Sequence, residues 1–186
     1  NPIHFQPNAA LAIHQFGRPI GAQRGHGLAD LIEAETEAQR RQAQRALDLA
    51  LPYALDREAF GQKIGEFQLI QQKIADMTCR VQWARNAVYQ LGRMKDAGVE
   101  RCSMESSMAK LLASQAAVQN ALDGMQIFGG YSMTAEYEIG RLLMEAKSLE
   151  FGEGTSELHT KLIAEAMLGM RKEAAPVPSD AERQEL

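Results

Sequence analysis

The sequence predicts an all-α protein, built as an up-and-down helical bundle of four to five helices. Alanine, leucine, glutamine, glutamate and methionine are frequent while aromatic residues make up only 6% of the chain, and this mixture favours helices over strands. Apolar residues also recur at alternating spacings of three and four positions over long stretches, which is the pattern of an amphipathic helix. No segment carries a strand pattern, so we expect no sheet.

Length, charge and cysteine content narrow the classes of protein to which the chain can belong. A chain of 186 residues with 45% hydrophobic content can form one domain with a buried core. Its net charge of −4 argues against nucleic acid or an anionic membrane as a partner. No apolar run approaches the roughly 20 residues that a membrane span needs. Two isolated cysteines, Cys79 and Cys102, indicate reduced thiols in a cytoplasmic protein, and four scattered histidines predict no metal site.

We expect three regions along the chain. Residues 1–27 contain prolines and glycines too densely spaced for a long helix, which predicts an irregular lead-in. Residues 28–170 form the helical bundle. Residues 171–186 are charged and contain Pro176 and Pro178, so we expect a flexible tail there.

The first helix is predicted over residues 28–56, because helix-favouring residues dominate this segment and no glycine interrupts it. Pro52 lies in its last turns, where the proline ring removes one backbone hydrogen bond or kinks the helix. Residues 33–44, in the middle, are unusually polar, and we expect them to face solvent.

The second and third helices, over residues 67–95 and 102–128, carry matching apolar seams. Each seam alternates spacings of three and four, and Gly98 is suited to cap the second helix. Two long helices joined by a short loop pack as an antiparallel pair. Gln115 is the one polar member of the third helix's seam and needs a hydrogen-bond partner. The seams consist of Phe67, Ile70, Ile74, Met77, Val81, Ala84, Val88 and Leu91, and of Met104, Met108, Leu111, Gln115, Val118, Leu122 and Met125.

Two shorter helices complete the predicted bundle. Gly129 and Gly130 end the third helix, because paired glycines interrupt a helical pattern. The fourth helix is predicted over about residues 135–147 and the last over about residues 155–170, each with apolar residues along one side.

The turn between these two helices presents one acidic side chain, Glu153. Gly152 and Gly154 flank it and permit backbone angles that are closed to other residues. Thr155 or Ser156 can cap the amides that begin the next helix. A carboxylate held in this way can face a cavity. The simpler interpretation is an acidic residue placed near a helix N-terminus because the helix dipole favours it there.

General catalytic motifs do not identify a chemistry. The sequence contains no P-loop, no dinucleotide-binding glycine motif, no zinc-protease helix motif and no nucleophile elbow. It also lacks the glutamate–histidine pairs that a di-iron bundle requires. From periodicity alone, the default interpretation is an all-helical packing or dimerisation module.

About two-thirds of the chain, from Arg45 to Gly169, resembles the C-terminal helical domain of acyl-CoA dehydrogenases, which are flavoproteins. The matching blocks occur in the family's order and at close to its spacing. They are residues 45–54, 56–61, 67–68, 107–110, 126–130, 145–147 and 153–156. The resemblance implies an enzyme that binds FAD and dehydrogenates an acyl-CoA thioester between its α and β carbons.

The resemblance also implies a role for each block. Glu153 matches the base that removes the α-proton, while the β-hydrogen leaves as a hydride to the flavin. Arg57 resembles the arginine that contacts the FAD pyrophosphate, although on its own it could equally be a solvated arginine at a helix end. The other positions that resemble cofactor-binding residues are Phe60, Gln68, Gln126, Gly129, Gly130, Thr155 and Glu157.

The implied partners are an acyl-CoA substrate, an electron-accepting flavoprotein, and either copies of this chain or a chain that supplies missing domains. In the family the FAD lies between two subunits, which implies a homodimer or homotetramer. A full member also has an N-terminal helical domain and a middle β-domain, which residues 1–27 cannot form. Some positions depart from the family: Met144 replaces an arginine, Ala59 replaces a threonine, and residues 28–37 do not match.

Two other functions stay open. One is a non-catalytic helical assembly or binding module that descends from the family. The other is an oxidase or nitroalkane-oxidising relative, in which a different acid abstracts the proton. The acyl chain length and the electron acceptor do not follow from the sequence.

Overall fold

The structure is a computed structural model that describes residues 28–99 and 101–170, with side chains described from residue 35 onward. The predicted lead-in and tail, residues 1–27 and 171–186, lie outside the described residues. Five helices make up the described part, which confirms the all-α class and the predicted number of helices. They are α1 Leu28–Asp56, α2 Gln68–Asp96, α3 Ser103–Phe128, α4 Ile139–Leu149 and α5 Ser156–Met167.

Helix α3 is the centre of the bundle, and every other helix packs against it. α1 and α2 also contact each other, so that the three long helices enclose the main core. α4 lies against α3 and α1, and α5 packs against α3. None of the helices within residues 28–99 and 101–170 combines the length and apolar character needed to cross a membrane.

The expectation of no sheet is wrong, because one short β-hairpin lies between α1 and α2. Strand β1, Glu58–Ala59, pairs antiparallel with strand β2, Gln62–Lys63. Phe60 and Gly61 form the connection, with φ of +53° and +82° respectively. Positive φ at both central residues is the geometry of a type I′ hairpin turn, and residues other than glycine rarely adopt it. Two-residue strands are too short to show an alternating pattern.

The turn before α4 is longer than predicted. Residues Gly129–Met133 form a 3-10 helix, and α4 begins at Ile139 instead of near residue 135. Tyr137 lies in between and packs against Phe128, with ring centroids 5.3 Å apart. α1 runs through Pro52 to Asp56.

The middle of α1 is not the solvent-facing surface that its polarity predicts. Thr36, Gln39 and Arg40 are buried, and Ala43 and Ala46 are fully buried further along the same helix. The neighbour with which α1 makes its most extensive contact is α3. Polar composition misled the prediction because these side chains find partners inside the bundle. Gln39, for example, donates a hydrogen bond to the carbonyl oxygen of Leu149 at the end of α4, and Arg40 donates two to Glu37 on α1.

The predicted seam is confirmed on α2 and is partly wrong on α3. Met77, Val81, Ala84, Val88 and Leu91 are all buried on α2. On α3 the exposed residues include three members of the predicted seam, namely Met108, Gln115 and Leu122, so Gln115 needs no buried partner.

Small side chains form the buried face of α3. They include Ala109, Ala113, Ala116, Ala117, Ala121 and Gly124. Helices approach α3 from several sides, and the space at Gly124 is tight, since an added Cβ would lie 2.6 Å from Ile139 Cδ1. Close approach therefore selected small residues over the large apolar ones that the heptad pattern favours.

Asn120 on α3 joins the three long helices through one buried amide. Its Nδ2 donates to the carbonyl oxygen of Ala43 on α1 at 3.0 Å and to that of Met77 on α2 at 3.1 Å. Its Oδ1 accepts a hydrogen bond from Arg80 Nη1 at 3.2 Å. Asp123 holds the same arginine at 2.7 Å. The helices are thereby fixed in one register as well as packed.

We predict that Asn120→Ala lowers the free energy of unfolding by about 2 kcal/mol, because all three side-chain hydrogen bonds are lost and a small cavity remains. Urea denaturation of the purified chain measures the change. Asn86→Ala is the matched control, since Asn86 is exposed on α2. Equal stability of the two variants would contradict the role given to Asn120.

Candidate functional site

The turn that carries Glu153 connects α4 to α5 and contains strained backbone. Glu153 has a φ of +48° and Gly154 a φ of +107°. Positive φ is unusual for a residue with a side chain and is often found at functional positions. Thr155 caps α5 as predicted, because its Oγ1 accepts a hydrogen bond from the Leu158 N–H at 3.4 Å. The Glu153 side chain is exposed in this chain.

Lys110 ties the two ends of this turn together from inside the bundle. It is fully buried on α3, and its Nζ donates to the carbonyl oxygens of Glu150 at 3.0 Å and Gly154 at 2.8 Å. Burial lowers the pKa of Lys110, and the carboxylates of Glu35, Glu150 and Glu153 act against that shift. One ammonium group therefore contacts the backbone on both sides of Glu153.

A second carboxyl group, that of Glu35 on α1, lies beside the turn. A Cβ added to Gly152 would be 2.3 Å from Glu35 Oε1, so a side chain at residue 152 would displace this carboxylate. Burial raises the pKa of Glu35, Lys110 acts to lower it, and Glu153 acts to raise it. Sequence reasoning missed Glu35 because it lies in the polar part of α1 that was expected to face solvent.

His159 supports the turn from α5. Its side chain is buried, and its Nε2 lies 3.2 Å from the carbonyl oxygen of Glu153. Since a carbonyl oxygen can only accept, Nε2 carries the proton in this contact. Burial is the main cause that lowers the pKa of His159, and the nearby charge of Lys110 lowers it further. The ring is therefore neutral at neutral pH. The described residues contain no cluster of three or more His, Cys, Asp or Glu side chains that could hold a metal ion.

A groove of about 480 Å³ lies at the other end of α3. The Arg57 guanidinium sits over the ring of Tyr131, 5.3 Å from its centroid. An added Cβ at Gly129 or Gly130 would meet no atom within 4 Å, so the backbone there is open to a ligand. The groove is lined by Tyr53, Arg57, Ile64, Ile127, Phe128, Gly129, Gly130, Tyr131 and Thr134.

Three predicted cofactor-binding residues, Arg57, Gly129 and Gly130, line this groove, and three others lie on adjacent elements. Phe60 is 99% exposed at the tip of the hairpin. Gln68 begins α2, and Gln126 lies in the last turn of α3, both with exposed side chains. The remaining two, Thr155 and Glu157, lie beside Glu153 at the start of α5.

The structure thus divides the predicted site residues into two groups. Lys110, behind the Glu153 turn, and Phe128, in the wall of the groove, both belong to α3. At a rise of about 1.5 Å per residue they are about 27 Å apart along the helix. A single small ligand cannot contact both places within one copy of this chain.

Most of the described chain matches one protein family. The family described as "Acyl-CoA dehydrogenase, C-terminal domain" matches residues 36–168. An acyl-CoA dehydrogenase of Bacillus subtilis (strain 168) is 42% identical over 127 residues, which cover 68% of this chain and 33% of that protein.

Two solved structures are similar in fold. The glutaryl-coenzyme A dehydrogenase–glutaryl-CoA complex matches with a TM-score of 0.76 and 32% identity, over 78% of this chain and 37% of the other. The structure of PigA with FAD and proline matches with a TM-score of 0.73 and 30% identity, over 78% of this chain and 37% of the other.

The chain spans about a third of the length of the curated relatives it matches. Within that third, the family match extends from the middle of α1 to the end of α5 and includes both the groove and the Glu153 turn. The chain therefore belongs to the acyl-CoA dehydrogenase family and contains its C-terminal domain.

Proposed function

We propose that this chain is the C-terminal part of an FAD-dependent acyl-CoA dehydrogenase, in which Glu153 removes the α-proton of an acyl-CoA thioester. The observation that carries this proposal is the fixed turn that presents Glu153. Its carboxylate projects from a strained backbone position, and Lys110 and His159 hold the carbonyl groups around it. Such rigidity suits a general base, which must stand within hydrogen-bond reach of the proton it takes.

The groove at Arg57 suits the phosphate-containing part of FAD. A guanidinium is permanently charged and presents planar donors that match phosphate oxygens. Gly129 and Gly130 leave the backbone open, so that a bulky anion can approach closely. When bound, FAD supplies the acceptor for the hydride that leaves the β-carbon. This chain's part is to hold one end of the cofactor and to place the base.

The distance between the two groups of residues supports an oligomer. The groove and the Glu153 turn are about 27 Å apart along α3, at about 1.5 Å per residue. Within one chain, the groove would therefore bind a part of FAD remote from the reacting carbons. A homodimer or homotetramer, with FAD shared between subunits, lets the groove of one copy and the base of another serve the same cofactor. A separate chain carrying the missing domains is the alternative.

The rest of the protein must cover Glu153 before it can act. A thioester α-proton is only weakly acidic, so a carboxylate surrounded by water is a poor base for it. In this chain Glu153 is exposed, whereas in the proposed enzyme the acyl group and the remaining domains exclude water from it. The carboxylate oxygen would then take the α-proton and become a carboxylic acid. An electron-accepting flavoprotein would reoxidise the cofactor.

The exposure of Glu153 also favours one alternative function. A descendant of the family that has lost its chemistry could keep the bundle as an assembly or binding module. The groove separates the two functions, because an assembly module has no need of an open phosphate site beside Arg57. Uptake of FAD by the purified chain supports the enzyme, and a chain with no affinity for FAD or ADP supports the module.

We expect Arg57→Ala to weaken binding of FAD about 10- to 100-fold, because a charge-assisted hydrogen bond to phosphate is lost. Equilibrium dialysis measures the affinity directly. Arg93→Ala is the matched control, since Arg93 lies at the far end of α2 and is exposed. If the two variants bind FAD equally well, Arg57 does not contact the cofactor.

Glu153→Gln should reduce the rate of acyl-CoA dehydrogenation by about 10²- to 10⁴-fold in the FAD-loaded enzyme, because a carboxamide cannot accept the α-proton. FAD content should stay unchanged, since the substitution preserves the shape of the side chain. Reduction of an artificial electron acceptor reports the rate. Glu165→Gln is the control and should keep full activity, because Glu165 lies on α5 and pairs with Lys161. Unchanged turnover in Glu153→Gln would remove Glu153 from the role of base.

A further inference from the structure

We propose that Lys110 is a positioning residue for Glu153, whose ammonium group holds the turn in the strained conformation that presents the base. This inference rests on the proposed function for its consequence in catalysis. The hydrogen bonds that support it lie within this chain and do not depend on FAD or on other domains.

The two hydrogen bonds of Lys110 lie on either side of Glu153 in the sequence. Nζ contacts the carbonyl of Glu150 three residues before it and the carbonyl of Gly154 directly after it. Glu153 itself has a φ of +48°, a conformation that persists only when the surroundings impose it. Removing the ammonium would leave both carbonyls without this donor and would allow the turn to relax to ordinary backbone angles.

The groups that face Lys110 come from α1, from the turn and from α5. Glu35 on α1 supplies a nearby negative charge, as do Glu150 and Glu153 in the turn. On α5, His159 is neutral and contacts the carbonyl of Glu153. Opposite charges nearby keep a buried ammonium protonated, and a protonated donor binds a carbonyl more strongly than a neutral amine does. The charge of Glu35 therefore favours the protonated form of Lys110, which donates the two hydrogen bonds to the turn.

A lysine that only filled space would not need this placement. Met77, an apolar side chain of similar length, is fully buried in the same bundle, so the core accommodates long side chains without a charge. A buried charge is costly unless it is paired and hydrogen-bonded. The use of an ammonium at residue 110 is explained by the two carbonyls that no apolar side chain could hold.

Amide hydrogen exchange of the purified 186-residue chain tests the constraint itself. In Lys110→Met, we expect the hydrogen-bonded amides of residues 150, 151, 158 and 159, on either side of the turn, to exchange roughly tenfold faster, while the centres of α2 and α3 keep their protection. Lys73→Met is the matched control, because Lys73 pairs with Asp123 between α2 and α3 and does not contact the turn. Unchanged exchange at these four amides, or faster exchange across the whole bundle, would overturn the proposal.

The pH dependence of stability tests whether Glu35 is buried beside the turn. Burial raises the pKa of Glu35 above its ordinary 4.5, so the folded chain binds this proton more tightly than the unfolded chain. The stabilisation that protonated Glu35 contributes to the fold is fully present below pH 4.5 and is lost as pH rises through the folded-state pKa. Relative to wild type, Glu35→Gln should therefore become more stable as pH rises to neutral.

Glu58→Gln is the opposite control. The hydrogen bond from Lys63 lowers the pKa of Glu58. The contribution of ionised Glu58 to stability is therefore present above its ordinary pKa of 4.5 and is lost as pH falls. Urea denaturation at acidic and neutral pH measures both variants. The same trend in both would contradict the placement of Glu35.

Kinetics of the FAD-loaded enzyme then test the consequence for catalysis. A misplacement of the reacting groups by about 1 Å costs roughly 10²-fold in rate, so Lys110→Ala should lower kcat by about that factor with unchanged KM and FAD content. Added propylammonium, which matches the deleted atoms, should restore part of the rate, whereas 1-propanol should not. Equal rescue by 1-propanol, or full activity without rescue, would overturn the positioning role. Full activity of Glu153→Gln would instead refute the proposed function and leave the exchange result intact.

Discussion

The candidate site depends on a lysine ammonium buried inside the bundle. An isolated charge in a protein interior costs several kcal/mol, so Lys110 is tolerated only because backbone carbonyls receive its N–H groups. Those carbonyls belong to the turn between α4 and α5, which is not held by the regular backbone hydrogen bonds of a helix or strand. These hydrogen bonds therefore anchor the turn to the rigid core and stabilise the positive φ of Glu153.

Helix α3 makes this arrangement possible because its buried face is built from small residues. Alanine, serine and glycine let four other helices approach closely, and long polar side chains then reach the backbone of the neighbours. Asn120 does this toward α1 and α2, and Lys110 does it toward the turn before α5. A core of large apolar side chains would have kept the helices too far apart for either contact.

The same helix separates the two groups of predicted site residues. The open groove at Arg57 lies near the end of α3, and the Glu153 turn packs against its first half. The groove is suited to hold an anionic part of a cofactor, whereas the turn is suited to present a base. Neither surface is complete alone, since Glu153 is exposed and the groove is open. In the proposed enzyme, other segments or other copies of the chain would cover both surfaces.

Local patterns in the sequence determined the helical class, the seam of α2 and the turn around Glu153, because spacing, capping residues and glycine act over a few positions. Arg57, Gly129 and Gly130 were placed by resemblance, and the structure brings them to one groove. The hairpin at Phe60, the buried middle of α1 and the small-residue face of α3 were mispredicted. Glu35 went unnoticed, and Lys110 was only one residue of a matching block. Their roles depend on contacts between segments distant in sequence, such as Glu35 with Gly152 and Lys110 with Gly154, which only tertiary packing decides.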